Sequence, residues 1–192
     1  MQEKIQLALI LGSVREKRFC DTVVAWAREQ IEQRSEFELS LIDPALMFRE
    51  PGEPAARASL RHQAQQLLLR ADAFLIVTPE YNHGYPAVLK RFIDEVPVAW
   101  EARPVGFISY GGVSGGVRAV EQLRQVLVEM HGMSVRSSVS FINAWEQFDE
   151  QGRLLEPRRA NSALAHLLVQ LNWWAQTLRE GRQRMAYECV RG

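Results

Sequence analysis

The chain lacks an excess of charge of either sign. Its 192 residues include 23 lysines and arginines and 23 aspartates and glutamates, so the formal net charge is zero at pH 7. A basic face for nucleic acid or for an anionic membrane surface is therefore not expected. No window approaches the ~18 apolar residues that a membrane span requires, and we expect no membrane segment.

Cysteine is also scarce. The sequence has two cysteines, Cys20 and Cys189, whose separation does not indicate a disulfide framework. The first residues run straight into an apolar segment and carry no signal-peptide pattern. These features predict a cytoplasmic protein. The histidines show no metal-ligand spacing to cysteine or to each other, so no metal site is predicted.

What the chain does have is regular alternation of strand-like and helix-like segments. With 47% hydrophobic residues it can bury a full core, and residues 1–192 are predicted to form one domain. The predicted strands are 5–11, 37–42, 73–77, 104–109 and 134–141. Alternation of this kind predicts an α/β fold with a doubly wound, five-stranded parallel sheet and helices on both faces.

Helical periodicity fills most of the intervals between these strands. Four predicted helices span 19–34, 55–70, 87–96 and 158–179. Another, between the fourth and fifth strands, carries Val120, Leu123, Leu127 and Met130 on one side. A loop rich in proline and glycine is expected over 43–54, and an irregular excursion over 143–156. From Gly181 onward the sequence shows no strong signal for a helix or a strand.

The stretch 78–86, Thr-Pro-Glu-Tyr-Asn-His-Gly-Tyr-Pro, is the centre of this organisation. It follows the apolar run 73–77, which is typical of a strand buried on both faces. Pro86 suits the first turn of the helix that follows, because proline has no N–H to leave unsatisfied. In open α/β sheets ligands bind where strands end in this way.

A second candidate site follows the first predicted strand, at Gly12 and Ser13. The free N–H groups and dipole of a helix start favour a phosphate, and Ser13, Arg15 and Arg18 can add hydrogen bonds. The glycines of a dinucleotide fingerprint and the P-loop pattern are both absent. A phosphate monoester therefore fits better than a dinucleotide or ATP, and an ordinary turn with surface arginines is the alternative.

Three motifs in this order resemble the NADPH-dependent FMN reductase family, whose fold is flavodoxin-like. They are Gly12-Ser13-Val14-Arg15, then Thr78-Pro79-Glu80-Tyr81-Asn82 followed by Val88-Leu89-Lys90 and Ile93-Asp94, and finally Ser109-Tyr110-Gly111-Gly112. The resemblance covers about residues 5–140. Each motif lies at a strand end, which makes the set far more specific than any one of them.

The resemblance implies a bound FMN, hydride from NADPH or NADH, and a flavin, quinone, azo compound or metal ion as small-molecule acceptor. No catalytic acid, base or nucleophile is assigned, since the cofactor supplies the redox chemistry. The residues implied to bind FMN are Ser13, Arg15, Arg18, Phe19, Cys20, Pro79, Glu80, Tyr81, Asn82, His83, Ser109, Tyr110, Gly111 and Gly112.

Two positions depart from the family pattern. Cys20 stands where members often have asparagine or serine; it is either a plain small residue or a redox thiol whose pKa the helix start lowers. Arg91 stands where asparagine is more frequent, which affects only local helix contacts. His83 either touches the flavin or is solvated.

Two other functions remain as alternatives. A flavodoxin-type electron carrier would bind FMN without a nicotinamide site, but such carriers are usually acidic and have a phosphate loop rich in threonine and serine. A flavin-binding regulatory protein is the second alternative.

A homo-oligomer is also expected, a dimer or tetramer as the resemblance implies. Five tryptophans are many for this size. Trp100, Trp145 and Phe148 lie outside the predicted core stripes, and exposed aromatic residues favour interfaces. Alternatively, Trp100 and Trp145 cover the sheet of their own subunit.

Overall fold

A computed structural model describes residues 3–48 and 53–190. A single five-stranded sheet has the order β2-β1-β3-β4-β5, with all neighbours parallel. The strands are β1 (Ile5–Leu11), β2 (Phe37–Ile42), β3 (Ala73–Pro79), β4 (Pro104–Gly111) and β5 (Met133–Ile142). The predicted flavodoxin-like, doubly wound α/β fold is confirmed.

Helices cover both faces of this sheet. They are α1 (Cys20–Glu32), α2 (Ala45–Phe48), α3 (Pro54–Arg70), α4 (Ala87–Asp94), α5 (Val117–Glu129) and α6 (Pro157–Arg184). Helices α1 and α6 bury their apolar stripes in one core cluster, and α3, α4 and α5 bury theirs in a second cluster across the sheet. The central strand β3 is buried along its whole length, as its unbroken apolar run predicts.

Several element boundaries differ from those expected. The helix predicted over 87–96 ends at Asp94, and a short 3-10 turn at Pro97–Ala99 follows, because proline cannot continue the hydrogen-bond ladder. The short helix α2 lies inside the predicted loop 43–54, where Asp43 accepts the Ala45 N–H at 2.9 Å. Part of that predicted loop, 49–52, lies outside the described residues.

Helix α6 is longer than the pattern predicted. It begins at Pro157 and continues through Gly181 to Arg184. Arg179 and Arg182 both pair with Asp72, the residue before β3, at 3.3 and 3.1 Å, so the pair made by Arg182 holds the added residues. These contacts join distant parts of the chain, which helical periodicity does not reveal.

Two of the three aromatic residues expected outside the core lie in it. Trp100 is fully buried, packs on Phe74 and donates its indole N–H to the Ile93 carbonyl at 3.0 Å. Phe148 is buried next to Phe141. Exposure of both was therefore predicted wrongly, because neither lies on a periodic stripe. Trp145 is 61% exposed.

The described part of the chain, 3–48 and 53–190, contains no helix that is both long and apolar enough to cross a bilayer. Within the same residues, no group of three or more histidine, cysteine, aspartate or glutamate side chains could hold a metal ion.

Candidate functional site

The three motifs meet at one edge of the sheet. Strands β1, β3 and β4 are neighbours and run parallel, so the segments that follow them emerge side by side. The Ser13 hydroxyl lies 3.0 Å from the Tyr81 hydroxyl, within hydrogen-bond distance. The Glu80 N–H donates to the Tyr110 carbonyl at 3.2 Å. One continuous site therefore contains residues from all three segments.

The segment after β1 is held close to β3. The Gly12 N–H donates to the Val77 carbonyl at 2.7 Å, and a Cβ at Gly12 would lie 2.6 Å from that oxygen. A larger residue would push the segment away from the sheet. Helix α1 begins after this segment with no side-chain cap, so its first N–H groups and its dipole favour an anion there.

The two arginines of this segment have different surroundings. Arg18 donates two hydrogen bonds to the Asp43 carboxylate, at 2.7 and 2.6 Å, and a third to the Ser13 carbonyl at 2.7 Å. The bonds to Asp43 raise the pKa of Arg18 further above its usual value. The Arg15 guanidinium instead lies over the Tyr81 ring, 4.0 Å from its centroid. Arg18 thus fixes the segment after β1, while Arg15 lies beside the segment after β3.

Cys20 and Phe19 turn toward the core at the start of α1. Cys20 is fully buried, and burial raises the pKa of its thiol to about 11. The lowered pKa that a redox role required is therefore not found. Phe19 packs against Tyr110 and Phe148, with ring centroids 5.9 and 5.4 Å away.

A tight turn lies at the centre of the segment after β3. Tyr81 and Gly84 exchange two backbone hydrogen bonds, at 2.8 and 3.0 Å. Asn82 and His83 between them have φ of 50° and 70°, as in the primed turns that favour asparagine and glycine. Positive φ at a histidine is uncommon and often marks a functional site. Sequence reasoning predicted a polar loop here but not this turn.

The prolines at the two ends of that segment set its limits. Pro79 is the last residue of β3 and is buried. Pro86 is the residue before α4, with extended backbone, and not part of its first turn as expected. Because proline disfavours helical conformation in the residue before it, Pro86 keeps Tyr85 out of the helix.

The third motif lies mostly inside β4, which continues to Gly111. The buried Ser109 hydroxyl donates to the Gly115 carbonyl at 2.8 Å. Gly116 has φ of 85°, and a Cβ there would lie 2.8 Å from the Ser109 Cβ, so the glycines let the loop fold back on the strand. By contrast, Gly112 has open space around it, with only Trp145 at 3.8 Å from an added Cβ.

Tyr110, the remaining residue of this motif, is buried, and burial raises its pKa above the usual value. Its side chain faces Phe19 and Cys20 and so does not reach the open side of the loop. The open side of this motif is therefore at Gly112, whereas Gly111 lies against Gly116 and Glu80.

Two residues of α5 that sequence reasoning missed contact the segment after β3. Arg118 pairs with the Glu80 carboxylate at 3.0 Å, and Gln122 donates to the His83 carbonyl at 3.0 Å. Burial acts to raise the pKa of Glu80, but hydrogen bonds from Ser114 and Arg118 outweigh it and lower that pKa. The available signal in the sequence was the spacing of four residues between Arg118 and Gln122, which places both side chains on one side of α5.

The residues present fit FMN. An uncapped helix start beside Arg15 can take a phosphate monoester. The tight turn at 81–84 and the open space beside Gly112 lie on neighbouring strand ends, where a flat ring system can lie against the chain. The first segment offers no second phosphate-binding glycine.

An all-parallel sheet with these three segments at its carboxyl edge defines a flavodoxin-like α/β protein. The sequence profile of a family described as NADPH-dependent FMN reductase matches residues 5–146. The chain belongs to this family.

Named relatives agree with this assignment. A Schizosaccharomyces pombe protein named NAD(P)H-dependent FMN reductase is 36% identical over 130 residues, which cover 63% of this chain and 64% of the relative. This chain thus matches slightly under two thirds of that relative. An Escherichia coli K12 protein named quinone reductase is 35% identical over 147 residues, covering 69% of this chain and 74% of the relative.

A solved structure shares the fold. The flavoenzyme NAD(P)H:(acceptor) oxidoreductase of Paracoccus denitrificans superposes with a TM-score of 0.68 at 18% identity. The superposition covers 88% of this chain and 97% of that one. At this level of identity the likeness supports the fold alone.

Proposed function

We propose that this chain is an FMN-dependent oxidoreductase that takes hydride from NADPH or NADH and passes electrons to a small-molecule acceptor. The observation that carries the proposal is the convergence of the segments after β1, β3 and β4, which share the contacts between Ser13 and Tyr81 and between Glu80 and Tyr110. Bound FMN supplies the hydride and electron chemistry.

In this proposal the chain binds and orients the cofactor. The first turn of α1, Ser13 and Arg15 hold the phosphate, and Arg18 keeps that segment in place through Asp43. Backbone groups of 79–83 and of 109–112 line the ring system. None of these residues acts as acid, base or nucleophile. The fourteen residues implied by the resemblance thus divide into direct contacts and supports.

The acceptor is proposed to use the open side of the ring. Two exposed apolar side chains, Val113 at 81% and Trp145 at 61%, lie beside Gly112. Such a border favours a flat, partly apolar acceptor such as a quinone, in keeping with the name of the Escherichia coli relative. Donor and acceptor cannot stack on one ring face together, so we expect ping-pong turnover.

Anaerobic mixing tests this function. The purified, FMN-loaded protein is mixed first with NADPH and then with NADH, while the absorbance of oxidised flavin is followed. We expect rapid loss of the yellow colour, and its return when a benzoquinone is added. A flavin that binds but stays oxidised with both donors would refute the reductase and favour an electron carrier or a regulatory protein.

We further propose a homo-oligomer, a dimer or tetramer, with the flavin near the subunit boundary. The carboxyl edge of the sheet carries exposed apolar side chains, at Val113, Val117, Ile142 and Trp145. Exposed apolar side chains in such a set favour interfaces. Two-fold contacts would close such an assembly. Light scattering at micromolar concentration should give at least twice the mass of one chain; the mass of a single chain, with or without FMN, would refute it.

Residues 1–192 are proposed to act as one FMN-binding domain in the cytoplasm, without nucleic acid or membrane partners. Both cysteines are free thiols, which suits a reducing compartment.

A further inference from the structure

We propose that Arg118 and Gln122 are positioning residues for the flavin ring, which hold the turn after β3 against the loop after β4. The proposal rests on the proposed binding of FMN. Neither residue belongs to the three motifs, and both lie in the first two turns of α5.

Arg118 joins the segment after β3 to the loop after β4 through its contacts with Glu80. Its guanidinium lies 3.0 Å from one Glu80 carboxylate oxygen, and its backbone N–H donates to the other at 3.2 Å. The Glu80 side chain is only 7% exposed. Because Glu80 directly precedes the tight turn and Arg118 follows the glycine loop, this pair fixes the distance between the two segments.

Gln122 lies one helical turn further along α5 and holds the turn itself. Its side-chain amide donates to the His83 carbonyl at 3.0 Å. Residues four apart on a helix lie on the same side, so Arg118 and Gln122 approach the segment after β3 together. Their two contacts lie on either side of Tyr81.

The turn needs such support. Asn82 and His83 both have positive φ. Asparagine adopts this conformation readily in such turns, but the second central position usually takes glycine, and His83 occupies it. The two bonds between Tyr81 and Gly84 close the turn but do not connect it to the rest of the site. The Ser13–Tyr81 and Glu80–Tyr110 hydrogen bonds attach it to the ends of β1 and β4. The contacts from Glu80 and His83 attach it in addition to α5.

A ring bound between two segments gains affinity when their spacing is set before binding, since less ordering is required on association. Loss of either α5 side chain should therefore weaken the binding of the ring, whatever is attached to it. The phosphate segment after β1 should be unaffected. Riboflavin, which lacks the phosphate, separates these two effects.

The test compares Arg118→Ala and Gln122→Ala with the wild-type protein, using flavin fluorescence to measure the Kd of FMN and of riboflavin. We expect about tenfold weaker binding of both flavins for Arg118→Ala and about threefold for Gln122→Ala, from typical hydrogen-bond contributions. The ratio of the two Kd values should stay as in the wild type. Arg118→Lys, which keeps the charge opposite Glu80, should recover most of the affinity.

Gln125→Ala is the matched control, because Gln125 is an exposed glutamine of the same helix one turn away. It should leave both Kd values within about twofold, a difference well below one hydrogen bond. The thermal midpoint of each flavin-free variant shows whether the fold is retained. Because Gln122 is exposed, we expect Gln122→Ala to fold, and it tests the proposal by itself if Arg118→Ala does not fold.

Unchanged affinity for both flavins in folded variants would overturn the proposal. Selective loss of FMN binding would also overturn it, because Arg118 would then act on the phosphate. Wild-type protein that binds neither flavin would refute the proposed function itself and, with it, this inference.

Discussion

The two edges of the sheet are built in opposite ways. At the amino edge, Asp72 is held between Arg179 and Arg182 of α6. Arg103 there donates to the carbonyls of Leu69, Ala71 and Ala99, at 3.1, 2.7 and 3.0 Å. Side chains thus satisfy the backbone groups at this edge and attach the last helix to the sheet.

At the carboxyl edge, side chains close the helix starts only in part: the Glu80 carboxylate accepts the Arg118 N–H in the first turn of α5, at 3.2 Å. Side chains of the N-cap residues make no capping hydrogen bond at α1, α4 or α5. Backbone at Gly112 faces open space. Charged pairs occur at both edges, including Arg18–Asp43 and Arg118–Glu80 at the carboxyl edge. The comparison teaches that at the amino edge they attach the last helix to the sheet, while the carboxyl edge also keeps free helix N–H groups for a ligand.

The largest expected effect comes from breaking the amino edge. Asp72→Asn removes the carboxylate that Arg179 and Arg182 share, and leaves two half-buried guanidinium groups without a counter-charge. Breaking a buried pair in this way should lower the free energy of unfolding by about 3 kcal/mol. Urea unfolding of the flavin-free protein measures it.

Glu180→Ala is the control for that variant, because Glu180 forms an exposed pair with Arg184 on the same helix. Exposed pairs are worth under about 1 kcal/mol. Equal losses for the two variants would show that the Asp72 cluster has no special role. FMN affinity should not change in either variant, since both lie at the edge away from the three motifs.

A somewhat smaller effect is expected at the carboxyl edge from Arg15→Ala. If Arg15 anchors the phosphate, FMN binding should weaken by about 1.5–3 kcal/mol, the range for hydrogen bonds to charged groups. Riboflavin binding should barely change. Lys17→Ala, an exposed cation two residues away, is the matched control. Similar losses for both flavins would place the role of Arg15 elsewhere.

The smallest effect concerns the two thiols. Cys20 is buried with its pKa raised to about 11, whereas Cys189 is exposed. At pH 8 a thiol reagent should label Cys189 in the folded protein, and Cys20 only after denaturation. Mass spectrometry of peptides from the labelled protein gives the answer. Labelling of Cys20 in the native state at a rate similar to that of Cys189 would contradict its burial.

The sequence predicted the carboxyl edge better than the amino edge. The unbroken apolar run 73–77 and the glycine motifs identify strand ends locally, so the sheet and its three segments followed from short patterns. The Asp72 cluster joins residues more than a hundred positions apart, which no local pattern records.

Conformation and burial within a predicted segment were equally hard to foresee. His83 has positive φ and its carbonyl accepts a hydrogen bond from Gln122, which belongs to another element. Trp100 is buried because Phe74 and the Ile93 carbonyl receive it, although it lies outside any periodic stripe. Tertiary contacts accompany both features.

The most direct test of the carboxyl edge as an FMN site is the identity and amount of flavin that the protein holds. Flavin-free protein is reconstituted separately with FMN and with FAD, freed of unbound flavin, denatured, and the released cofactor quantified. We predict FMN in a near one-to-one ratio to the chain. Preferential retention of FAD, or retention of neither flavin, would contradict the account.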